Sequence, residues 1–298
     1  MSGKKNKSAL TTEIKDGLNS LLRPVGLKLE TTRAETREVE RLKRLSDRGY
    51  WSVPRYVHGL NFEPGRYHKF LSTVCSVYQP NFPEEPPNSQ ADGSGFYLQN
   101  GWFGPVDAEI LYSFVRHFKP ARILEIGSGF STRVVHRAIL DGSLKTKLTC
   151  IDPMPRASVL AYSDEYVESV VEDVPASNLV NGLGAHDILF IDSSHVIKTG
   201  GDITFLFLEI MPQLKPGVII HIHDIFLPFE YPKHFVDMRI GWTEQYLLHG
   251  FLAYNRNYEI LWPAYYMWQE NREAVLDSIP VRVVKRDPSS FWIKKNEN

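Results

Sequence analysis

The sequence predicts an α/β fold in which a seven-stranded, mostly parallel sheet carries helices on both faces. After Gly101, short apolar runs alternate with amphipathic segments, which is the order expected of a parallel sheet covered by helices. One apolar run, over residues 122–126, leads directly into a glycine-rich segment, as expected where a buried strand turns into a helix. A further apolar run near residue 290 adds a closing strand to the sheet.

The predicted elements follow from apolar periodicity and from the turn residues between them. Helices are predicted at about 107–118, 131–140, 203–214 and 243–254. Strands are predicted at 122–126, 148–151, about 168–171, 188–191, 218–222, 258–262 and about 290–294. The Lys-Pro-Gly sequence at 215–217 is typical of a turn and separates the third of these helices from the fifth strand.

Residues 1–100 lack the alternation of apolar runs and amphipathic segments that begins after Gly101. They are predicted to form an N-terminal extension ahead of a main domain at 101–298. Residues 1–10 are expected to be disordered, and residues 11–46 helical with an apolar stripe of Val39, Leu42 and Leu45. Prolines at positions 80, 83, 86 and 87 are expected to break regular structure between residues 50 and 100. This second part of the extension is therefore predicted to be helix-free, an extended wrap or linker.

Composition and charge exclude several classes of protein. The formal net charge of -1 gives no general attraction for nucleic acid, and the basic residues near the N-terminus are interleaved with acidic ones. The two cysteines cannot form a disulfide framework and do not have metal-ligand spacing. Neither a signal peptide nor an apolar stretch long enough for a membrane span is apparent. We expect a cytoplasmic protein without a nucleic-acid partner.

The glycine-rich segment Ile123–Thr132 has the features of a ligand-binding turn. Gly127 and Gly129 allow a tight turn and a close approach of a ligand to the backbone. Dinucleotide-binding proteins use a similar turn, but here Thr132 stands where a third glycine would be expected. Glu125 would repel a pyrophosphate and attract the ammonium group of S-adenosylmethionine (SAM). The segment therefore favours SAM, although a tight turn without a ligand stays open as the alternative.

Two further acids follow the second and third predicted strands. Asp152 ends the second strand, where a carboxylate can accept both hydroxyl groups of a ribose. Asp173 follows the third strand and is suitably placed for an adenine amino group. Each acid alone is as consistent with a helix cap or a solvated loop, and their order behind the glycine turn is what makes them candidates.

On these residues, the chain from about 101 to 298 resembles the class I SAM-dependent methyltransferases. The resemblance implies a Rossmann-like domain and SAM as the cofactor. The glycine turn would bind the methionine part, Asp152 the ribose and Asp173 the adenine. In that family the region ahead of the first strand closes over SAM, which makes Asp107 another candidate. The implied cofactor-binding residues are Glu125, Gly127, Gly129, Ser131, Asp152, Asp173 and Asp107.

Polar side chains follow the fourth and fifth predicted strands. The ends of neighbouring parallel strands converge on one crevice, so Asp192, His195, His223 and Asp224 are expected to lie close to a transferred methyl group. An acceptor hydroxyl must lose its proton, and histidine is a base suited to neutral pH. His221 is expected to be structural.

These two segments are similar to metal-assisted small-molecule O-methyltransferases of the catechol and macrolide-sugar types. The resemblance implies His195 as the general base, with Asp192 as a catalytic residue and metal ligand, and His223 and Asp224 as the other ligands of Mg²⁺ or Mn²⁺. The departure is His223, because the family has an acid there. Two alternatives stay open: His195 as a residue that only holds Asp192, and a hydrogen-bonded polar cluster that binds no metal.

The leading hypothesis is a SAM-dependent methyltransferase that methylates a hydroxyl of a sugar, glycan or other small polar metabolite. A second hypothesis has nitrogen, protein or RNA as the acceptor, but it requires a basic groove and the region after Gly101 is acidic. A third is a catalytically silent SAM-binding scaffold that binds a pathway partner through residues 1–100. Aromatic residues near 226–234 and 262–268 could line an acceptor pocket or form the contact surface of a homo-oligomer.

Overall fold

The computed structural model describes residues 14–29, 32–82, 96–155, 158–279, 284 and 286–297. The chain divides into two compact units, Met1–Val53 and Pro54–Asn298. In the first unit, residues 14–22 are helical, a 3₁₀ turn follows at Arg23–Val25, and a longer helix spans Arg33–Asp47. Residues 1–10, for which disorder is expected, lie outside the described part of the chain.

The second unit is built on a seven-stranded sheet with the order β3-β2-β1-β4-β5-β7-β6. Strands β1 to β5 are parallel, and β7 is antiparallel to both of its neighbours, β5 and β6. This confirms the predicted α/β fold with a closing C-terminal strand. The strands are β1 Arg122–Ile126, β2 Lys147–Ile151, β3 Glu165–Val167, β4 Ile188–Ile191, β5 Ile219–Ile222, β6 Tyr258–Pro263 and β7 Phe291–Lys295.

Helices cover the sheet and enclose one large hydrophobic core. β4 and β5 are buried along their whole length, which explains why they appear in the sequence as continuous apolar runs. Several helices are composite, with a π-helical turn inside them. The helical segments are Pro64–Phe70, Leu71–Cys75, Ser76–Tyr78, Asp107–Phe118, Phe130–Gly142, Ala176–Val180, Asp202–Phe205, Leu206–Ile210, Met211–Gln213, Lys233–Asp237, Glu244–Leu252, Ala264–Glu270 and Arg272–Ser278.

The prediction for residues 50–100 was wrong in one respect. A helix begins at Pro64 and continues to Tyr78, because proline is well tolerated in the first turn of a helix. Its inner side chains, Tyr67, Leu71 and Cys75, are buried in the core of the second unit. The boundary between the two compact units therefore follows Val53, whereas the sequence pattern predicts a domain boundary at residue 100.

The third strand was also predicted too late, at 168–171. The structure has β3 at Glu165–Val167, paired with β2 from Thr149 to Ile151. Residues 171–173 instead form a 3₁₀ turn, and the apolar pair at 170–171 belongs to the connection. In the described part of the chain, no helix has both the length and the hydropathy needed to cross a membrane.

Candidate active site

A cavity of about 540 Å³ opens at the carboxyl ends of β1, β2, β4 and β5. One end is formed by the glycine turn after β1 and the loop after β2, and we call it the cofactor end. The other end is formed by the loops after β4 and β5, and we call it the acceptor end. Trp102, Phe103, Trp242 and Arg286 reach the cavity from more distant parts of the second unit.

The glycine turn brings the two ends of the cavity together. Gly127 has a φ of +78°, and a Cβ atom there would lie 1.9 Å from the backbone oxygen of Asp192. Only glycine fits this close approach between the turn and the end of β4. Gly129 precedes the helix Phe130–Gly142, and its backbone N–H donates to Thr132 Oγ1 at 3.0 Å. Thr132, the residue in place of a third glycine, therefore caps this helix.

Glu125 is fully buried beneath the turn and does not line the cavity. Its carboxylate accepts hydrogen bonds from Ser131 Oγ at 2.5 Å, Thr132 Oγ1 at 2.7 Å and Cys150 Sγ at 3.3 Å. Burial raises the pKa of Glu125 to about 7, although these three hydrogen bonds oppose the shift. Glu125, for which a cofactor contact is predicted, thus reaches the cavity only through Ser131, which does line it.

Asp152 lies on the cavity wall, as predicted. Its Oδ2 accepts a hydrogen bond from the Ser128 backbone N–H at 2.7 Å, and its Oδ1 accepts one from the Met154 N–H at 2.7 Å. The same carboxylate thus orders the glycine turn and the loop after β2. Oδ2 also accepts a longer hydrogen bond from the Ser128 hydroxyl at 3.3 Å, so Oδ1 is the oxygen with room for a hydroxyl donor from the cavity.

Asp173 does not reach this cavity. It is exposed and lines a separate cavity of about 410 Å³ on the other side of the loop after β3. Residues 169–172 line the 540 Å³ cavity instead, with Glu172 as the acidic side chain. Asp173 therefore does not line the cavity in which its adenine contact is predicted, because the 3₁₀ turn places its neighbours there instead. Sequence reasoning missed Glu172, although it adjoins the chosen acid.

Asp107 also has a different role from the one predicted. It is buried at the start of its helix and accepts hydrogen bonds from the backbone N–H groups of Ser289 at 2.8 Å and Ser290 at 3.0 Å, and from the Ser290 hydroxyl. It is absent from the cavity wall, which Trp102 and Phe103 line from the same region. Asp107 thus fixes the chain just ahead of β7.

The acceptor end is centred on His195, which is 6% exposed. Its Nδ1 lies 2.8 Å from Glu244 Oε2, and its Nε2 lies 3.3 Å from Asp192 Oδ1 and 3.7 Å from Asp224 Oδ2. The Trp242 ring packs against the imidazole with 4.4 Å between ring centroids. Burial alone would lower the pKa of His195, but the hydrogen bonds to Asp192 and Glu244 outweigh it and raise the pKa well above its ordinary value.

Asp224 is held by residues from the segment ahead of β7. Its Oδ1 accepts hydrogen bonds from Arg286 Nη2 at 2.5 Å and from Ser289 Oγ at 2.9 Å. Both Asp224 and His195 have left-handed backbone conformations, with φ of +56° and +59°. Such conformations are uncommon for residues other than glycine and concentrate at functional sites.

The structure changes the predicted metal-ligand set. Asp192, His195 and Asp224 offer ligand atoms that all lie within 4.8 Å of one another. His223 lines the cavity, but its ring packs against Phe103 and His221, with centroids 5.0 and 5.5 Å away. His195, predicted as the base, therefore takes the position that the sequence assigned to His223. One nitrogen and two carboxylates fit a divalent cation, although Arg286 already occupies one oxygen of Asp224.

Comparison with known proteins agrees with this architecture. Residues 124–225 match a family model described as a methyltransferase domain. An uncharacterized protein of Archaeoglobus fulgidus is 32% identical over 130 residues, which make up 41% of this chain and 57% of that protein. This chain thus spans little more than half the length of that relative.

Solved structures with similarity to this chain include two methyltransferases bound to S-adenosylhomocysteine (SAH). One is PaMTH1 of Podospora anserina, with 16% identity, a TM-score of 0.39 and coverage of 91% of this chain and 99% of that chain. The other is an O-methyltransferase of Bacillus cereus, with 13% identity, a TM-score of 0.38 and coverage of 84% and 99%. The matched residues 124–225 run from β1 to just after β5, so this stretch of the sheet is similar to a methyltransferase domain.

Proposed function

We propose that the protein transfers the methyl group of SAM to a hydroxyl of a sugar, glycan or other small polar metabolite, with His195 as the general base. The arrangement of His195 carries the proposal. Its Nδ1 is held by Glu244 while its Nε2 points toward the carboxylates of Asp192 and Asp224, in the same cavity as the glycine turn. A buried, oriented imidazole beside a cofactor turn is suited to removing a hydroxyl proton.

The residues of the cofactor end fit SAM. Asp152 lines the cavity and its carboxylate can receive a ribose hydroxyl, and the glycine turn lets a ligand approach the backbone closely. When bound, SAM supplies a methyl group activated by a sulfonium. Residues 169–172, which include Glu172, line the part of the cavity where we place the adenine.

His195 would take the hydroxyl proton at Nε2. The reactive form is the neutral imidazole, reached when Nε2 loses the proton that it shares with Asp192 while the Nδ1 proton stays on the Glu244 side. Because the pKa of His195 is raised, this form is the minor one near neutral pH and becomes more populated as the pH rises. The acceptor oxygen, freed of its proton, would then take the methyl group that bound SAM supplies, and the sulfur would keep the electron pair. The proton on Nε2 is then released to water. The Trp242 ring beside the base offers a flat apolar face for the acceptor.

A divalent cation is a second candidate for the same atoms. Asp192, His195 and Asp224 would hold it, and it would acidify the acceptor hydroxyl. The two roles exclude each other at His195, because Nε2 cannot bind a metal and accept a proton at once. Equilibrium dialysis with Mn²⁺ and turnover after exhaustive chelation separate them. Undiminished turnover without a cation would eliminate the metal, and loss of turnover restored by Mn²⁺ would eliminate the base.

The experiment that tests the proposal is a survey of acceptors with isotopically labelled SAM. The purified protein is incubated with metabolite, protein and RNA fractions of a cell extract, and labelled products are identified by mass spectrometry. We expect label on a hydroxyl in the metabolite fraction. His195→Ala is expected to bind SAH normally and to lose labelling by about 100-fold or more. Label in RNA, in protein or on nitrogen, or a fully active His195→Ala, would contradict the proposal.

A further inference from the structure

We propose that Glu244 is the positioning residue of His195: it fixes the orientation and the tautomer of the imidazole from outside the cavity. This inference rests on the proposed function of His195 as the base. Glu244 is the first residue of the helix Glu244–Leu252 and is 1% exposed. It does not line the cavity, so it can affect an acceptor only through the side chain that it contacts.

The side-chain contact selects one tautomer. Glu244 Oε2 lies 2.8 Å from His195 Nδ1, and an ionised carboxylate can only accept a hydrogen bond. The carboxylate at Nδ1 is nearer than those at Nε2, which lie 3.3 and 3.7 Å away, so a neutral His195 is expected to keep its proton on Nδ1 and its lone pair on Nε2. That atom is the one directed at Asp192 and Asp224 on the cavity wall. Without Glu244, the carboxylates around Nε2 would favour the other tautomer, which cannot accept a proton there.

The backbone of the same segment holds the loop that carries His195. The N–H groups of Thr243 and Glu244 donate to the His195 backbone oxygen at 2.9 and 3.2 Å. Thr243 Oγ1 accepts a hydrogen bond from the Ile197 N–H at 2.8 Å. These bonds hold His195 in its left-handed conformation, so the segment fixes the backbone as well as the ring.

The energetics favour a functional reason for an acid at this position. Glu244 Oε1 is buried and accepts no hydrogen bond from any residue in the described part of the chain. A buried carboxylate oxygen without a partner costs free energy, and a neutral side chain of similar shape would avoid that cost. The N-terminus of a helix offsets part of the charge. An acid retained in spite of this cost is explained by its contact with the imidazole.

The test compares Glu244→Gln with a matched control, Glu230→Gln. Glu230 is also buried, and it accepts hydrogen bonds from the hydroxyls of Tyr56 and Tyr246 next to the same helix, but it does not line the cavity. Turnover is measured as label transferred from SAM into the metabolite fraction, and SAH affinity by calorimetry. We expect Glu244→Gln to lower kcat about 10- to 100-fold with SAH affinity unchanged. Glu230→Gln is expected to lower stability and leave kcat unchanged.

A double variant shows whether Glu244 acts through His195. In the His195→Ala background, Glu244→Gln is expected to cause no further loss, since two residues that act as a unit are not additive. With ¹⁵N-labelled histidine, the Nδ1 proton resonance of His195 is expected at low field in the wild type and shifted in Glu244→Gln. A wild-type kcat for Glu244→Gln, an additive double variant, or an unshifted resonance would overturn the inference.

The outcomes separate this inference from the proposed function. If turnover is slow for His195→Ala but equal to the wild type for Glu244→Gln, His195 is still supported as the base and only the positioning role of Glu244 is wrong. If His195→Ala retains full turnover, both the base role of His195 and the positioning role of Glu244 are wrong. If Glu230→Gln lowers kcat as much as Glu244→Gln does, the effect belongs to packing around this helix, and the positioning role is wrong.

Discussion

The two ends of the cavity differ in how far along the chain their contacts reach. At the cofactor end, Glu125 receives hydrogen bonds from Ser131 and Thr132, six and seven residues away, and from Cys150, 25 residues away. At the acceptor end, His195 is held by Glu244, 49 residues away. Two neighbouring strands and the helix between them therefore supply most of the contacts of the cofactor end. The acceptor end exists only when several distant segments have packed together.

The same contrast holds for the second carboxylate of the acceptor end. Asp224 is held by Arg286 and Ser289, which lie 62 and 65 residues further along the chain. The two ends nevertheless touch at one place, where Gly127 approaches the backbone oxygen of Asp192.

The largest expected effect is at the point where the two ends meet. Gly127→Ala is expected to destabilise the fold by about 4 kcal/mol, because the left-handed φ is strained for alanine and the new Cβ would collide with the Asp192 backbone oxygen. Both ends should fail together, and SAH binding should be lost. The measurements are urea unfolding and calorimetry with SAH.

The control for this prediction is the neighbouring glycine. A Cβ at Gly129 would meet no atom within 4 Å, so Gly129→Ala is expected to cost clearly less stability. Equal destabilisation by both substitutions would show that the close approach of the turn to β4 is not what requires glycine at position 127.

The next effect is a pH dependence confined to the cofactor end. Burial raises the pKa of Glu125 from 4.5 to about 7, so the folded protein keeps a proton that the unfolded chain releases between these values. Stability should therefore fall as pH rises from 4.5 to 7, by about 3 kcal/mol from this group. Glu125→Gln carries no charge and should lack this loss, so its stability relative to the wild type should increase over that range.

Urea unfolding of both proteins at several pH values measures this difference. The control is Glu209→Gln, because Glu209 is exposed and lies on another helix. Its free energy of unfolding should change with pH in the same way as that of the wild type. A stability difference between wild type and Glu125→Gln that does not change with pH would contradict the buried, partly protonated carboxyl group.

The smallest effect should leave the acceptor end intact. Asp152→Ala is expected to weaken SAH binding about 10- to 100-fold, since it removes a carboxylate that faces the cavity and orders two loops. At saturating SAM, kcat should stay close to that of the wild type. Asp173→Ala is the matched control and should bind SAH normally. Weaker SAH binding by the Asp173 variant would restore the sequence-based prediction for that residue.

The contrast between the two ends also explains what the sequence could predict. The bounds predicted for β1 and β4 agree with the structure, because a buried parallel strand appears as a continuous apolar run. Asp152 and the glycine turn could be placed because strand ends in this fold meet at one edge. Asp173 was misplaced because β3 is short and only partly buried, so its apolar pattern is weak.

The contacts of the acceptor end could not be predicted in this way. Nothing near Glu244 or Arg286 in the sequence indicates that they pair with His195 and Asp224, since those pairings arise only from tertiary packing. His223 was assigned as a ligand by the resemblance, but it lies just after β5 and its ring stacks with that of His221, two residues before it. Asp107 was also assigned by the resemblance, and its partners at 289–290 could not be foreseen because they lie 182 and 183 residues away.

The position of β7 has a consequence for how the enzyme is made. β7 follows β6 in the sequence but lies between β5 and β6 in the sheet, so β6 joins the sheet only through β7. During synthesis, β6 leaves the ribosome before the strand that will hold it, and Asp224 emerges before Arg286 and Ser289. The contacts of Asp224 and the place of β6 in the sheet are therefore complete only once the segment from Arg286 to Lys295 has been synthesised.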